Sequence, residues 1–176
     1  MKKIIAFGAS NSLTSINKQL AVYASSLIEN KEVEILDLNN FKIPTYSIDI
    51  ETKIGIPENA QHFFDKIKSC DGIIISLAEH NGNYTAAFKS LFDWMSRIDK
   101  NIFQDKNMLL MSTSPGGRAG KSVFDIAEAS FPRFAAKISA KFSLPSFNEN
   151  FKEGKIINEA LNQALVKEVN AFLLNN

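Results

Sequence analysis

The run "FGASNSLTSIN", residues 7 to 17, ends an apolar stretch in three serines, a threonine and two asparagines with no charge among them. Side chains this small leave backbone N–H groups open to a ligand. Where such a run enters a helix, those groups and the positive end of the helix dipole favour a phosphate, and hydroxyls add donors without bulk. Two familiar phosphate loops are excluded: there is no GxGxxG to cradle a dinucleotide and no Lys-Ser/Thr after a glycine-rich loop. Helix caps and turns select the same residue types, so the run by itself leaves both readings open.

Two later stretches share this character. "AEHNGNYT" carries Asn81-Gly82, a pair that accepts positive φ and lets a ligand approach the backbone closely. "STSPGGRAG" goes further, with Pro115 stiffening the turn and Gly116, Gly117 and Gly120 presenting no side chain. Backbone displayed in this way suits a flat heterocycle that needs several directional hydrogen bonds along one edge. A loop made permissive only to join a strand to a helix is the competing reading. Arg118 stands either as a cation beside such a heterocycle or as a solvated loop residue.

The elements that must position these loops are legible from hydrophobic period. KIIAF is a strand, and Leu20, Ala21, Ala24, Leu27 and Ile28 mark a helix ending near Asn30. VEILDL is the second strand, followed by a long connection through residue 56. Pro57 opens a helix with Ala60, Phe63, Phe64 and Ile67 inward, and DGIIISLA is the third strand. AAFKSLFDWMSRI is helical, and NMLLMST is the fourth strand. A helix with Val123, Ile126, Ala127 and Phe131 inward comes next, then KFSLPSF as a fifth strand that Pro145 confines to an edge or an end. A closing helix carries Ile157, Leu161, Leu165, Val169 and Phe172.

Five strands alternating with helices predict an α/β, doubly wound parallel sheet with helices on both faces, as one domain over residues 1–176. In such sheets ligands bind beyond the carboxyl ends of the strands, where strand order reverses. The three polar loops follow strands one, three and four, which makes them parts of one site. In the helix between strands three and four, Phe88, Leu91, Phe92, Met95 and Ile98 form a stripe that Ala87 and Trp94 widen. That face is either buried in its own domain or offered to a second copy across a two-fold axis.

Bulk properties exclude several classes. Lys and Arg total 20 against 19 Asp and Glu, without a basic block, so no nucleic-acid partner is expected. No apolar run approaches the roughly 20 residues of a membrane span, and the start lacks a signal-peptide core, so a cytoplasmic protein is expected. Cys70 is the only cysteine and reads as a small core residue, while His62 and His80 lack metal-ligand spacing; no metal is expected.

The loops resemble those of the NADPH-dependent FMN reductase family, whose flavodoxin-like members include quinone, chromate and azo-dye reductases. The family's G-S-x-R-x-x-S-x-N opening is matched by Ser10, Ser15 and Asn17, and its P-E-Y-N-G by Glu79, Asn81 and Gly82. K-S-L-F-D-W-M-S-R, from Lys89 to Arg97, follows as it does in the family. Asp37, Leu38, Pro44, Tyr46 and Asp49 fit its D-L and P-x-Y-x-x-D connection, and SLPSFNENF fits its late segment. The resemblance spans nearly the whole chain and implies strand order 2-1-3-4-5. Two departures stand out: Ser12 occupies the phosphate-loop arginine position, and Ala78 and His80 replace the proline and tyrosine of P-E-Y-N-G.

The resemblance implies FMN as cofactor, NADPH or NADH as co-substrate and a small acceptor such as a quinone. It also implies a homodimer or dimer of dimers with the flavin near the interface. Phosphate would be held by Ser10, Ser12, Ser15, Ile16 and Asn17. Ala78, Glu79, His80, Asn81 and Gly82, together with Ser112, Thr113, Ser114, Pro115, Gly116, Gly117 and Arg118, would border the isoalloxazine. Without the arginine, phosphate binding rests on hydroxyls, amides and the helix dipole, and a weaker hold on FMN is expected. No side-chain nucleophile is required, because the flavin carries the chemistry. Two alternatives stand beside this reading. One is a flavodoxin-type electron carrier, whose T-G-x-T loop and acidic surface are absent here; the other is a flavin-free interaction module with a degenerate site.

Overall fold

The computed structural model describes residues 2–174. Its centre is a five-stranded sheet of β1 (Lys3–Ala9), β2 (Glu32–Leu36), β3 (Gly72–Leu77), β6 (Asn107–Thr113) and β7 (Lys137–Leu144). The spatial order is β2-β1-β3-β6-β7 and every pairing is parallel, which is 2-1-3-4-5 when these strands alone are counted. Order reverses at β1/β3, so the carboxyl ends of those two strands border the crevice such sheets offer to ligands.

Alternation along the strands divides the core in two. Ile5, Phe7, Ile73, Ile75, Met108 and Leu110 face one side of the sheet. There they pack under α3 (Glu58–Ser69), α4 (Ala86–Ile98) and α5 (Lys121–Ser130). Ile4, Ala6, Ile74, Leu109 and Met111 face the other side, under α1 (Ile16–Ser26) and α7 (Glu159–Leu174). The central strands β1, β3 and β6 are almost wholly buried, whereas the edge strand β2 is mostly not.

Several local expectations are corrected. Residues 78–85 form a hairpin, β4 (Glu79–His80) and β5 (Asn83–Tyr84), and the Asn81-Gly82 pair takes φ of 52° and 77° at its tip. Two consecutive positive φ values in a two-residue loop fit the right-handed twist of a hairpin. The fifth sheet strand begins at Lys137 and stops at Leu144, so Pro145 lies just beyond it. Phe131 opens a 3-10 turn rather than closing α5, and Ile126 is exposed. Ile157 precedes α7; between β7 and α7 the chain forms a short α6 (Phe147–Asn150) and a hairpin of β8 (Phe151–Lys152) and β9 (Lys155–Ile156).

The connection after β2 is also structured. It contains a 3-10 turn (Leu38–Asn40) and α2 (Ile48–Ile54), and it straps the outside of α4. The Trp94 indole N–H and the Ser90 hydroxyl both donate to the Pro44 carbonyl, at 2.8 and 3.0 Å, and the Tyr46 ring meets the Trp94 ring edge-on at 5.0 Å. Arg97 Nε lies 3.0 Å from both carboxylate oxygens of Glu51, which also accepts from the Tyr46 hydroxyl at 2.9 Å. The apolar stripe of α4 is thereby spent inside the chain: Phe88, Leu91, Trp94 and Met95 are at most 1% exposed, so they offer no face to a partner.

The bonds from Arg97 and Tyr46 hold the Glu51 carboxyl below its ordinary value of 4.5. A carboxylate depressed in the folded state contributes stability that is complete above its unfolded value and is lost as pH falls through its folded value. Acidification below pH 4.5 is therefore expected to loosen the strap and shift Trp94 emission, with Glu51→Gln removing the step. Identical fluorescence titrations of the two proteins would place that transition elsewhere.

Candidate functional site

The site begins where β1 ends. Gly8 has no room for a side chain: a Cβ there would lie 2.4 Å from the Lys18 backbone nitrogen, so the first turn of α1 sits directly on β1. Ser15 caps that turn by accepting from the Lys18 N–H at 3.1 Å, and the Ser10 hydroxyl accepts from the Ser12 N–H at 3.1 Å. Among the described residues the N–H groups of Ile16 and Asn17 have no protein partner, as the first turn of a helix requires. They open on a cleft of about 270 Å³.

Three loops line that cleft. The first supplies Ser10, Ser12, Ser15, Ile16 and Asn17, together with Thr14 of the same hydroxyl run. The loop after β3 supplies Ala78, Glu79 and His80, and the loop after β6 supplies Thr113, Ser114 and Pro115. Asn81 and Gly82 lie at the hairpin tip, and Gly116, Gly117 and Arg118 lie on the exposed rim; none of these five lines the cleft itself.

Several of these side chains hold the frame. Asn17 is 2% exposed: its amide donates to the Thr113 carbonyl at 3.1 Å, and its oxygen accepts from the Thr113 N–H and the Ser76 hydroxyl at 3.0 and 2.7 Å. One amide thus ties α1 to the ends of β3 and β6, leaving the backbone N–H of Asn17 for a ligand. Asn17→Ala would orphan both backbone groups of buried Thr113, and a loss of about 2 kcal/mol is expected. Urea denaturation measures it, and an unchanged midpoint would show that water replaces the amide without cost.

Ser112 lies beneath the cleft, its hydroxyl donating to the Ala119 carbonyl at 2.7 Å, and the Thr113 hydroxyl donates to the Leu144 carbonyl at 2.7 Å. Glu79 has a similar task. The N-cap of α5 is Gly120, which offers no side chain, and the Glu79 carboxylate instead accepts from the Val123 N–H at 3.0 Å. A negative charge at that helix end is also favoured by the dipole. Thr85, which the sequence reading did not single out, caps α4 and donates to the Ala9 carbonyl at 2.9 Å, tying the hairpin to β1.

The rim glycines behave differently. A Cβ at Gly116 or Gly117 would meet nothing within 4 Å, and neither φ is positive, so the chain itself does not demand glycine at either position. Both face open space beside the cleft. The Arg118 guanidinium lies 3.4 Å from the Ser122 hydroxyl and is otherwise open to solvent.

A doubly wound sheet with this order, bearing a hydroxyl-rich first loop at its switch point, defines a flavodoxin-like protein. The chain belongs to the NADPH-dependent FMN reductase family, whose model matches residues 2–146. It is 28% identical over 74 residues to a quinone reductase of Escherichia coli (strain K12), covering 42% of this chain and 39% of that protein. The aligned part thus spans about two fifths of the relative. An FMN-dependent NADH:quinone oxidoreductase of Mycoplasma genitalium is 31% identical over 116 residues, covering 60% of this chain and 57% of that protein. The flavoenzyme NAD(P)H:(acceptor) oxidoreductase FerB from Paracoccus denitrificans has the same fold, with a TM-score of 0.78 at 22% identity, over 98% of this chain and 96% of that one.

Proposed function

We propose that this chain binds FMN at the three-loop cleft and works as an NAD(P)H-dependent oxidoreductase delivering reducing equivalents to a small acceptor such as a quinone. The observation that carries the reading is the pairing of two features at one sheet edge. Unpartnered N–H groups of a capped helix turn open on the cleft, and two glycines the fold does not need face the space beside it. The first feature fits a phosphate and the second fits a flat ring laid against backbone.

In this reading Ser10, Ser12, Thr14 and Ser15 and the N–H groups of Ile16 and Asn17 hold the phosphate. Ala78, Glu79, His80, Asn81 and Gly82 border one side of the ring through their backbone, and Ser114, Pro115, Gly116, Gly117 and Arg118 border another. Asn17, Glu79, Ser112 and Thr113 act with their side chains as braces that keep the loops at fixed spacing. FMN, when bound, supplies the hydride and electron chemistry, and the protein supplies position and electrostatics. On this reading Arg118, on the exposed rim, would stabilise negative charge at the ring edge. The names of the Escherichia coli and Mycoplasma genitalium relatives support a quinone as acceptor.

The reading includes a cytoplasmic homodimer or dimer of dimers. With the α4 stripe buried, the contact must use other surface, and α2 supports it: no residue of that helix is buried, and Ile48 and Ile54 are 60% and 53% exposed. Light scattering on the eluting protein reads the mass against 19.6 kDa for one chain.

The deciding experiment is the visible absorbance of purified protein before and after loading with FMN and removing the excess, followed by NADPH and NADH oxidation with a quinone. A flavin spectrum with steady turnover is expected. A flavin spectrum without turnover would identify an electron carrier, and a chain that takes up no flavin would identify the interaction module.

A further inference from the structure

A second cavity, of about 390 Å³, lies on the same edge of the sheet as the cleft. The first loop contributes Asn11 to it, and the chain neighbours Ser10 and Ser12 line the cleft, so one loop borders both hollows. Its floor is apolar, with Leu38, Phe41 and Leu91, and its rim carries Asn11, Asn39 and Lys42. Among the lining residues Lys42 alone is charged, and its ammonium makes no ion pair among the described residues. The nearest carboxylate along the chain, Asp37, is already paired with Lys18.

The cavity shares no lining residue with the cleft. In the order β2-β1-β3-β6-β7 the ring-bordering loops follow β3 and β6, whereas the cavity lies between the connection after β2, which supplies Leu38 and Lys42, and the first turns of α4, which supply Ala86, Ala87, Ser90 and Leu91. None of the residues assigned to FMN on the flavin reading lines this hollow. A volume in the range of nucleotide-sized sites, an apolar floor, the Asn11 amide, the Asn39 amide that already donates to Asp37, and one cation without an ion pair together describe a purine carrying a phosphate.

We infer that this cavity takes the adenosine 2′-phosphate end of NADPH, with Lys42 on the 2′-phosphate and the apolar floor under the adenine; the inference rests on the flavin reading above. A dinucleotide whose nicotinamide lies on the ring runs back across the first loop past Asn11 to reach it. Lys42 then sets preference for NADPH over NADH, because NADH carries a neutral 2′-hydroxyl where NADPH carries the phosphate.

Adenosine 2′,5′-bisphosphate tests the cavity without flavin or turnover. Trp94 is the chain's only tryptophan, and its indole is bonded to Pro44, next to the lining residue Thr45, so its emission reports binding beside calorimetry. The flavin-free chain is expected to bind the bisphosphate at least about tenfold more tightly than 5′-AMP, the scale of one charge-assisted contact. Lys42→Glu should remove that difference, Lys42→Arg should restore most of it, and Ala87→Phe, which fills the cavity, should abolish binding of both. In FMN-loaded protein Lys42→Glu should raise KM for NADPH by about the same factor and leave kcat and KM for NADH unchanged. Wild-type protein that does not prefer the bisphosphate, or Lys42→Glu and Ala87→Phe that bind it as wild type does, would overturn the inference. FMN binding, measured separately by flavin fluorescence, reports on the underlying reading and is expected to be unchanged in all three variants.

Discussion

Gly8→Ala is expected to lose about 3 kcal/mol of folding stability, the upper end of what an overpacked core position costs. The added methyl would meet the backbone nitrogen and Cα of Lys18 at 2.4 and 2.7 Å and the carbonyl carbon of Asn17 at 2.8 Å. None of these is the end of a flexible side chain, so relief requires α1 to lift from β1. Lifting α1 also pulls the Asn17 amide away from Ser76 and Thr113, so the two losses are coupled. Urea unfolding followed by circular dichroism should show a lower midpoint with an unchanged slope. Gly116→Ala, at a site with open space, serves as control and is expected to stay within about 0.5 kcal/mol of wild type. A Gly8→Ala protein as stable as wild type would mean that α1 does not start against β1.

The second large effect is on the ligand rather than the fold. Gly117→Tyr, and equally Gly116→Tyr, should leave the unfolding midpoint near that of wild type, because neither position meets neighbouring atoms and neither takes a positive φ. The phenol ring would instead occupy the space beside Ser114 and Pro115 assigned to the isoalloxazine. FMN affinity is expected to fall by at least about a hundredfold, the loss of roughly 2.7 kcal/mol of contact. Fluorescence quenching of titrated FMN measures it, and NADPH oxidation should fall in parallel at limiting flavin. Folded variants that keep full FMN occupancy would place the ring elsewhere.

Much of the architecture was legible because it rests on short-range periodicity. The alternation in IIAF, GIIISL and NMLLMS sorts residues onto two faces of a buried sheet. The alternation of strands with helices dictates parallel pairing, and parallel pairing places every strand-to-helix loop on one edge. The α2 helix was less legible, since none of its residues is buried and no apolar period marks it. The hairpin at Asn81-Gly82 carried a recognisable turn signal, but its two-residue strands are too short for alternation to show.

The amino-acid sequence by itself determined the fold class, the strand order through its family pattern, and the three loops that meet at the switch point. Only the tertiary structure decided what each polar side chain does there. A serine or asparagine reads the same whether it meets a ligand or bonds backbone far along the chain, and Asn17 is bonded to Thr113, 96 residues away. The same holds for Glu79, which caps α5, and for the α4 stripe, whose outer side is covered by the strap through Pro44 and Tyr46. Hydrophobic period is a local property of the chain. The choice of hydrogen-bond partner, and the hollow left between a strap and a helix, depend on residues brought together only when the sheet has formed.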